Sequence, residues 1–254
     1  KLDVPTIAVA HSTSKTAEQD TLHKTIMAVP SERYIKNLQE KGIKEEDIEV
    51  VGPVVYDEIF PYIGPKETKE KNIIIATSPY IETGKVKVEE YFKRIEIILK
   101  QLNKIDGVKV AFKLHPRELN LEKYQELSQK YKFVKAFPAN LARGEFYSLI
   151  KRCDVFAHFG SNAALEGMII DRPVVTLNLL KGIYEIKHWM TCLGFEDSSI
   201  NIDYDGEIEA AFQRAFQDEE ELKVKRKNTV ESICGKIDGQ ASKRVVELIY
   251  RTAK

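Results

Sequence analysis

Short apolar segments alternate along the chain with longer stretches in which apolar residues recur every three or four positions. The short segments are rich in β-branched residues and end at Gly, Pro or polar side chains, as is typical of strands buried in a parallel sheet. We predict strands at Thr6–Ala10, Thr25–Val29, Ile48–Val51, Asn72–Ala76, Val108–Leu114, Phe133–Ala136, Val155–His158 and Pro173–Leu177. Their alternation with helices predicts an α/β protein with a parallel sheet and flanking helices.

The clearest helix follows the fourth predicted strand. Its apolar stripe consists of Val88, Tyr91, Phe92, Ile95, Ile98, Leu99 and Leu102, and Lys and Glu fill the opposite face. A stripe of this width predicts a helix that packs on the sheet. After Asp205 the pattern becomes wholly helical, and charged stretches such as Asp218–Glu221 are interpreted as solvated helix faces.

Both periodicities break between Phe60 and Lys71, where two prolines, a glycine and a run of charges are typical of a linker. We therefore predict two domains, residues 1–62 and residues 63–254. The chain enters a buried-type strand within its first residues, without a starting Met or a capping element. We expect that an upstream part of the first domain is missing.

Composition narrows the classes of function. The chain has 254 residues, of which 43% are hydrophobic, and Lys+Arg and Asp+Glu balance at 39 each. It can therefore form hydrophobic cores, and it has no net positive charge that would attract nucleic acid. The three cysteines are widely spaced and odd in number, which fits a reducing compartment. With no bilayer-length apolar run and no signal segment, we expect a cytoplasmic protein.

The segment Asp154–Ile170 is the most informative, because an apolar strand there runs into a glycine turn and then into a helix. Ser161 can act simply as the N-cap of that helix. Alternatively, its hydroxyl and the backbone N–H groups of Asn162 and Ala163 bind a phosphate, with Gly160 permitting close approach. The segment alone leaves both interpretations open.

Glu166 is the one charged residue in the predicted helix after Ser161. A buried carboxylate without a partner is costly, so Glu166 must be paired, exposed along a narrow strip or directed into a cleft. A cleft would suit a carboxylate that accepts hydrogen bonds from ribose hydroxyls. A solvated or salt-bridged glutamate is the structural alternative.

His115 follows the strand Val108–Leu114, at the edge where open α/β sheets bind ligands. Pro116 fixes the turn after it, and Lys113, Arg117 and Glu118 make the corner polar and cationic. A histidine here can simply bond a loop carbonyl. We favour the interpretation that His115 contacts a phosphate or leaving group, because imidazole titrates near neutrality and can donate a hydrogen bond or a proton.

Further polar residues follow other predicted strands. Thr77 and Ser78 come after Asn72–Ala76, and His11 comes after Thr6–Ala10. They could line the same cleft, although an ordinary turn explains them as well. The chain has no GxGxxG opening a helix, no GxxxxGK[ST] phosphate loop, no HExxH and no GxSxG, so those chemistries are set aside.

Taken in order, these segments resemble the carboxyl-terminal half of a GT-B glycosyltransferase. The resemblance is closest to the group of capsule polysaccharide transferases, CDP-glycerol glycerophosphotransferases and sialyltransferases with HP and SS motifs. The residues that carry it are Ile48–Asp57, Lys113–Glu118, Asp154–Glu166, Arg172–Val175 and Asp238–Arg244. It implies two Rossmann-like domains facing a cleft, with the amino-terminal one incomplete and the donor held mainly by the carboxyl-terminal one, residues 63–254.

By this resemblance His115 is the predicted catalytic residue, and it binds the donor phosphates together with Ser161, while Glu166 binds the ribose. The remaining candidate substrate-binding residues are Gly160, Asn162, Thr77, Ser78, Pro116 and His11. No metal or cofactor is implied, because histidine, hydroxyls and a helix dipole neutralise the leaving nucleotide. The amino-terminal domain would supply the acceptor pocket, and no catalytic base is named.

The resemblance thus predicts a metal-independent transferase that moves a sugar-type or glycerophosphate group from a nucleotide-activated donor to a glycan or lipid-linked acceptor. It would be cytoplasmic or peripheral to the inner membrane face. The chain departs from the group at two positions. Members of the group often have His-Gly where this chain has His11–Ser12, and they often have a second serine where this chain has Asn162. One alternative is a UDP-N-acetylglucosamine 2-epimerase-like enzyme, although these usually have Ser-Gly-Gly followed by paired glutamates. The other is a non-catalytic nucleotide-sugar-binding module.

Overall fold

A computed structural model of the chain describes residues 5–10, 25–66, 70–183 and 195–253. The strands in this part are β1 (Thr6–Val9), β2 (Thr25–Val29), β3 (Ile48–Val50), β4 (Lys71–Ala76), β5 (Val108–Lys113), β6 (Val134–Phe137), β7 (Val155–His158), β8 (Val174–Asn178) and β9 (Ile200–Asp203). The α-helices are α1 (Arg33–Glu40), α2 (Val88–Leu102), α3 (Leu121–Lys130), α4 (Arg143–Arg152), α5 (Ala163–Ile169), α6 (Ile208–Gln217), α7 (Glu220–Cys234) and α8 (Ala241–Thr252). Short 3₁₀ helices lie at Glu45–Asp47, Val54–Tyr62 and Glu196–Ser198.

The chain divides into two compact units, one of residues 1–61 and 228–254 and one of residues 62–227. The second unit contains a six-stranded sheet in the order β6-β5-β4-β7-β8-β9, and every pair of neighbouring strands is parallel. The predicted α/β fold with a parallel sheet and flanking helices is therefore confirmed. Ala76 at the end of β4 pairs with Lys113 on one side and His158 on the other, so the three central strands end level with one another.

Helix α2 packs as its apolar stripe predicts. Tyr91, Ile95, Ile98, Leu99 and Leu102 are fully buried. Burying one large apolar side chain of this kind contributes about 1.5–3 kcal/mol. Glu89 and Glu90 in the first turn and Lys100 in the last turn complement the helix dipole.

Strand β9 was not predicted. It has four residues, and the polar Asn201 and Asp203 interrupt its apolar ones, so it lacks the continuous apolar run by which the other strands were identified. It forms one edge of the six-stranded sheet, where only one side is paired.

The first unit is built on a parallel three-stranded sheet in the order β1-β2-β3. Two small apolar clusters cover it, one formed by Met27, Val29 and Leu38 and one formed by Ala28, Val51 and Leu248. Leu248 lies in α8. The carboxyl-terminal residues 228–254 thus fall in the first unit, whereas the sequence predicts them in the second domain.

Polar contacts also join the carboxyl-terminal helix to the β3 segment. The Asp57 carboxylate accepts the N–H groups of Ala241 (2.9 Å) and Ser242 (2.7 Å) at the start of α8. The Arg244 Nε donates to the carbonyl oxygen of Val51 at 2.6 Å. Asp57 and Arg244 belong to two of the segments that carry the family resemblance, and the fold brings these segments into one unit. No helix in the described ranges has the length and apolar character needed to cross a bilayer.

Candidate functional site

The turns after β4, β5 and β7 lie side by side at the carboxyl edge of the six-stranded sheet. The Thr77 N–H donates to the Lys113 carbonyl at 3.1 Å, and the Phe159 N–H donates to the Ala76 carbonyl at 3.1 Å, so the pairing extends beyond the strands. Strands β5 and β7 flank β4, about 10 Å apart at the usual strand spacing. The His115 turn and the Ser161 turn are therefore neighbours across the β4 turn.

His115 is half-buried, and its turn fixes the proton on its ring. The Arg117 N–H donates to His115 Nδ1 at 3.1 Å, so in the neutral ring the proton is on Nε2. Burial, together with the nearby charges of Arg117 and Lys113, lowers the pKa of His115 below its usual 6.5. His115 is thus a neutral imidazole, and its Nε2–H has no partner among the described residues. Pro116 is exposed in this turn.

Thr77 and Ser78 are both buried, and their hydroxyls hold the turns together. The Thr77 hydroxyl donates to the Glu118 carboxylate and accepts the His115 N–H at 3.0 Å. The Ser78 hydroxyl donates to the Gly160 carbonyl at 3.4 Å. The contacts of these two hydroxyls are thus to the neighbouring turns.

The sequence places Glu118 near His115 without indicating a role for it, and the structure shows it beneath the His115 turn, only 6% exposed. Its Oε2 accepts the His115 N–H at 2.9 Å, and its Oε1 accepts the Tyr124 hydroxyl at 2.8 Å. Burial raises the pKa of Glu118, and these donors and Thr77 oppose that shift by stabilising the carboxylate. A single sequence does not distinguish this carboxylate from a solvated one, since it follows the exposed Arg117 in an ordinary polar turn.

The Ser161 turn is shaped by Gly160 and His158. Gly160 has a φ of 75°, a left-handed conformation that favours glycine. The N–H groups of Gly160 and Ser161 both donate to His158 Nδ1, at 3.1 and 3.0 Å. The Ser161 Oγ accepts the Ala163 N–H at 3.3 Å, but the residue at the N-cap of the following helix is Asn162, so Ser161 is not the N-cap predicted from sequence.

The helix after this turn, α5, has only seven residues, so its dipole is a small contribution to any anion site. Ser161 is half-buried and the preceding Gly160 is also half-buried, while Asn162 is exposed. Of the two backbone donors predicted for a phosphate, the Ala163 N–H is engaged by Ser161. The Ser161 hydroxyl proton remains able to donate to a ligand, because the serine oxygen acts here only as an acceptor.

His158 itself is fully buried. Burial lowers the pKa of His158 to about 3, so the ring is neutral. With Nδ1 accepting, Nε2 carries the proton and donates to Thr176 Oγ1 at 3.0 Å. The Thr176 hydroxyl lies 3.2 Å from Ser199 Oγ, which donates to the Phe195 carbonyl at 2.7 Å. This chain of hydrogen bonds anchors the Ser161 turn to β8 and to the start of β9.

Glu166 is half-buried on α5 and forms no ion pair with a described residue. Burial raises its pKa to about 7, although the positive charges of Lys113 and Arg143 act in the opposite direction. The Lys113 ammonium lies 5.0 Å from the centre of the Phe146 ring, and burial lowers the pKa of Lys113. Neither a fully solvated nor a tightly salt-bridged Glu166 matches this arrangement.

Two further points concern a candidate residue from the sequence and the possibility of a metal site. His11, a candidate substrate-binding residue, lies outside the described residues. Among the residues that are described, no group of three or more His, Cys, Asp or Glu side chains is arranged to hold a metal ion.

A sequence model of the family described as alpha-2,8-polysialyltransferase (POLYST) matches residues 11–143, just over half of the chain. This range includes the Thr77 and His115 turns but ends before Ser161. No curated protein matches the chain.

Solved structures similar to this chain include two UDP-GlcNAc 2-epimerases and a polymerase. The Neisseria meningitidis epimerase bound to UDP-GlcNAc has a TM-score of 0.59 and 18% identity, with 89% of this chain and 61% of that chain covered. The Methanocaldococcus jannaschii epimerase in complex with UDP-GlcNAc and UDP has a TM-score of 0.57 and 17% identity, with coverages of 89% and 61%. The wall teichoic acid polymerase TagF has a TM-score of 0.51 and 15% identity, with coverages of 89% and 57%.

At such low identities these similarities show the fold alone, and the fold is GT-B. The chain spans about six tenths of the length of the solved structures that it matches.

Proposed function

Because this chain belongs to the alpha-2,8-polysialyltransferase family, we propose that it transfers a sialic-acid-type sugar from a nucleotide-activated donor to a glycan or lipid-linked acceptor. The donor would be held by the second unit, at the carboxyl edge of the six-stranded sheet. The transfer would need no bound metal. We further propose that the protein acts in the cytoplasm and meets a lipid-linked acceptor at the inner face of the membrane.

The observation that supports this proposal most is the adjacency of the His115 and Ser161 turns on either side of the β4 turn. In the proposed complex, the His115 Nε2–H donates to a phosphate oxygen of the donor, and the Ser161 hydroxyl donates to the same group. The Glu166 carboxylate accepts hydrogen bonds from the ribose hydroxyls. Each contact uses an atom that the described residues leave available.

In the reaction, the bond between the anomeric carbon and the donor phosphate oxygen breaks, and the acceptor hydroxyl oxygen forms the new bond to that carbon. Negative charge grows on the departing phosphate, so the hydrogen bonds from His115 and Ser161 strengthen in the transition state. A neutral His115 fits this role as a hydrogen-bond donor. The acceptor proton leaves to a base that we do not assign to any residue of this chain.

A thermal-shift screen of the protein against CMP-, CDP-, UDP- and GDP-sugars tests the proposal. A ligand that binds the folded state raises stability by mass action, about 2.7 kcal/mol at a hundred times its dissociation constant. We expect CMP-activated sialic acid to raise the melting temperature and to be consumed when a glycan acceptor is added. Isomerisation of a free UDP-sugar would instead indicate an epimerase-like enzyme, and binding without turnover would indicate a non-catalytic module.

A further inference from the structure

One buried carboxylate lies beneath the His115 turn and accepts four hydrogen bonds. The donors to Glu118 are the Thr77 hydroxyl, the His115 N–H at 2.9 Å, the Tyr124 hydroxyl at 2.8 Å and the Tyr91 hydroxyl at 3.3 Å. Both carboxylate oxygens are engaged. No described cationic side chain forms an ion pair with Glu118.

These donors come from different parts of the second unit. Tyr91 lies in α2 and Tyr124 in α3, and both are fully buried, with their hydroxyls 3.0 Å apart. Thr77 follows β4, and the Glu118 N–H closes the turn itself by donating to the His115 carbonyl at 2.9 Å. Glu118 therefore ties the His115 turn to two helices and to the neighbouring strand.

This arrangement holds the backbone at His115 rather than its ring. The His115 N–H is shared between Glu118 Oε2 and Thr77 Oγ1, at 2.9 and 3.0 Å. The ring is fixed separately, by the Arg117 N–H on Nδ1. With the backbone and Nδ1 both held, the direction of Nε2 is determined.

We propose that Glu118 is a positioning residue of the donor site, which sets the direction of the His115 Nε2–H through Thr77 and through the His115 backbone. The inference rests on the proposed function, in which that N–H contacts the donor phosphate. A displacement of about 1 Å in a reacting group can reduce turnover by about a hundredfold. Loss of the Glu118 contacts would act in this way, without removing any group that touches the donor.

The test compares Glu118→Gln, Thr77→Val and Thr77→Ser. Glutamine has nearly the same shape but turns one acceptor oxygen into an N–H donor, which then faces another donor. Valine removes the Thr77 hydroxyl, whereas serine keeps it. Glu122→Gln is the matched control, because Glu122 is an exposed glutamate in the first turn of α3.

The first readout is the ¹⁵N NMR spectrum of the His115 ring, which reports its tautomer and its pKa without any ligand. We expect the His115 signals to shift in Glu118→Gln and Thr77→Val and to match wild type in Thr77→Ser and Glu122→Gln. Unchanged His115 signals in both altered variants would overturn the positioning role. Thr77→Val keeps this test available if Glu118→Gln does not fold.

The second readout is the transfer reaction. We expect kcat to fall at least tenfold in Glu118→Gln and Thr77→Val, with recovery in Thr77→Ser. Equal kcat in Thr77→Val and Thr77→Ser would overturn the positioning role. If wild type binds no nucleotide sugar, the proposed function fails on its own, and the NMR comparison still decides whether Glu118 orients His115.

Discussion

The His115 turn and the Ser161 turn each depend on a histidine whose Nδ1 accepts backbone N–H groups of its own turn. His115 accepts from Arg117, and His158 accepts from Gly160 and Ser161. The two differ at Nε2. In His158 it meets Thr176 within the core, and in His115 it has no partner in the described part of the chain. The same local arrangement thus gives His158 a structural role in its turn, and leaves His115 with an N–H group that can donate a hydrogen bond to a ligand.

Substitution of His115 should change turnover more than any other substitution in the two turns. His115→Ala removes the Nε2–H, and we expect the rate of sugar transfer to fall by about 10³-fold, within the usual range for such a group. Because the ring is half-buried, the unfolding free energy should fall by only about 1 kcal/mol, for the lost contact with the Arg117 N–H. Steady-state kinetics and chemical denaturation measure the two effects.

His115→Asn is the matched variant, since its side-chain oxygen can accept the Arg117 N–H but cannot reach the position of Nε2. It should be as stable as wild type and as inactive as His115→Ala. Wild-type turnover in His115→Ala would remove this histidine from the mechanism.

The second effect is on stability, at His158. His158→Ala leaves the Gly160 and Ser161 N–H groups without their shared acceptor, removes the donor to the Thr176 hydroxyl and opens a cavity. We expect a loss of about 3 kcal/mol in the unfolding free energy. Denaturation at pH 7 measures it, and a loss below about 1 kcal/mol would contradict the scaffold role.

The pH dependence at His158 has a definite sign. Its pKa is about 3 in the folded protein, against 6.5 for an ordinary histidine. Below pH 6.5 the unfolded chain binds a proton that the folded protein does not, so this residue lowers stability as the pH falls from 6.5 toward 3. His158→Asn, which keeps an acceptor for the two N–H groups, should lack this contribution.

The third effect is on nucleotide affinity, at Glu166. Its pKa of about 7 means that the carboxylate becomes protonated as the pH falls through 7. We expect nucleotide affinity to fall by about tenfold between pH 8 and pH 6, which is about 1.4 kcal/mol. Glu166→Gln should bind weakly and without this pH dependence. Calorimetry at the two pH values decides it, and equal pH profiles for both proteins would assign Glu166 a structural role only.

Glu166 should affect stability in the opposite direction to His158. Its pKa rises on folding from the ordinary 4.5 to about 7, so between these values the folded protein holds more protons than the unfolded chain. Stability from this group is therefore lost as the pH rises through that window. Glu166→Gln should be more stable than wild type at pH 8, by denaturation, and the difference should disappear near pH 4.

The smallest effect is at Ser161. Ser161→Ala removes the acceptor for the Ala163 N–H, and we expect a stability loss of about 1 kcal/mol, typical of a capping side chain. Ser161→Thr keeps the hydroxyl and should lose less. If Ser161→Ala lowered the unfolding free energy as much as His158→Ala does, the assignment of the main structural role in this turn to His158 would be contradicted.

Continuous apolar runs made much of the fold predictable from sequence. Ile73–Ile75 in β4 and the stripe of α2 each determine their element locally, because burial on one or both faces leaves a simple pattern. Strand β9 could not be predicted from sequence, because its polar residues interrupt the apolar pattern. The assignment of residues 228–254 depends on contacts such as those of Asp57 with α8, between positions far apart in the chain.

The candidate site was predictable only in part, for the same reason. His115 and Ser161 stand at strand ends, and parallel strands bring such positions to one edge. The contacts that orient them could not be inferred. Glu118 is held by tyrosines of two helices, and His158 by a threonine of another strand, and a single sequence does not record which polar side chains meet in the core.

In the proposed complex, the His115 and Ser161 side chains bind one phosphate group together. A double-mutant cycle measures this coupling, with the affinity for CMP determined by calorimetry for wild type, His115→Ala, Ser161→Ala and the double variant. If both side chains contact one phosphate, the two losses should deviate from additivity by at least about 1 kcal/mol, whereas independent sites add within about 0.3–0.5 kcal/mol. Additive losses, or no loss in either single variant, would contradict this shared binding.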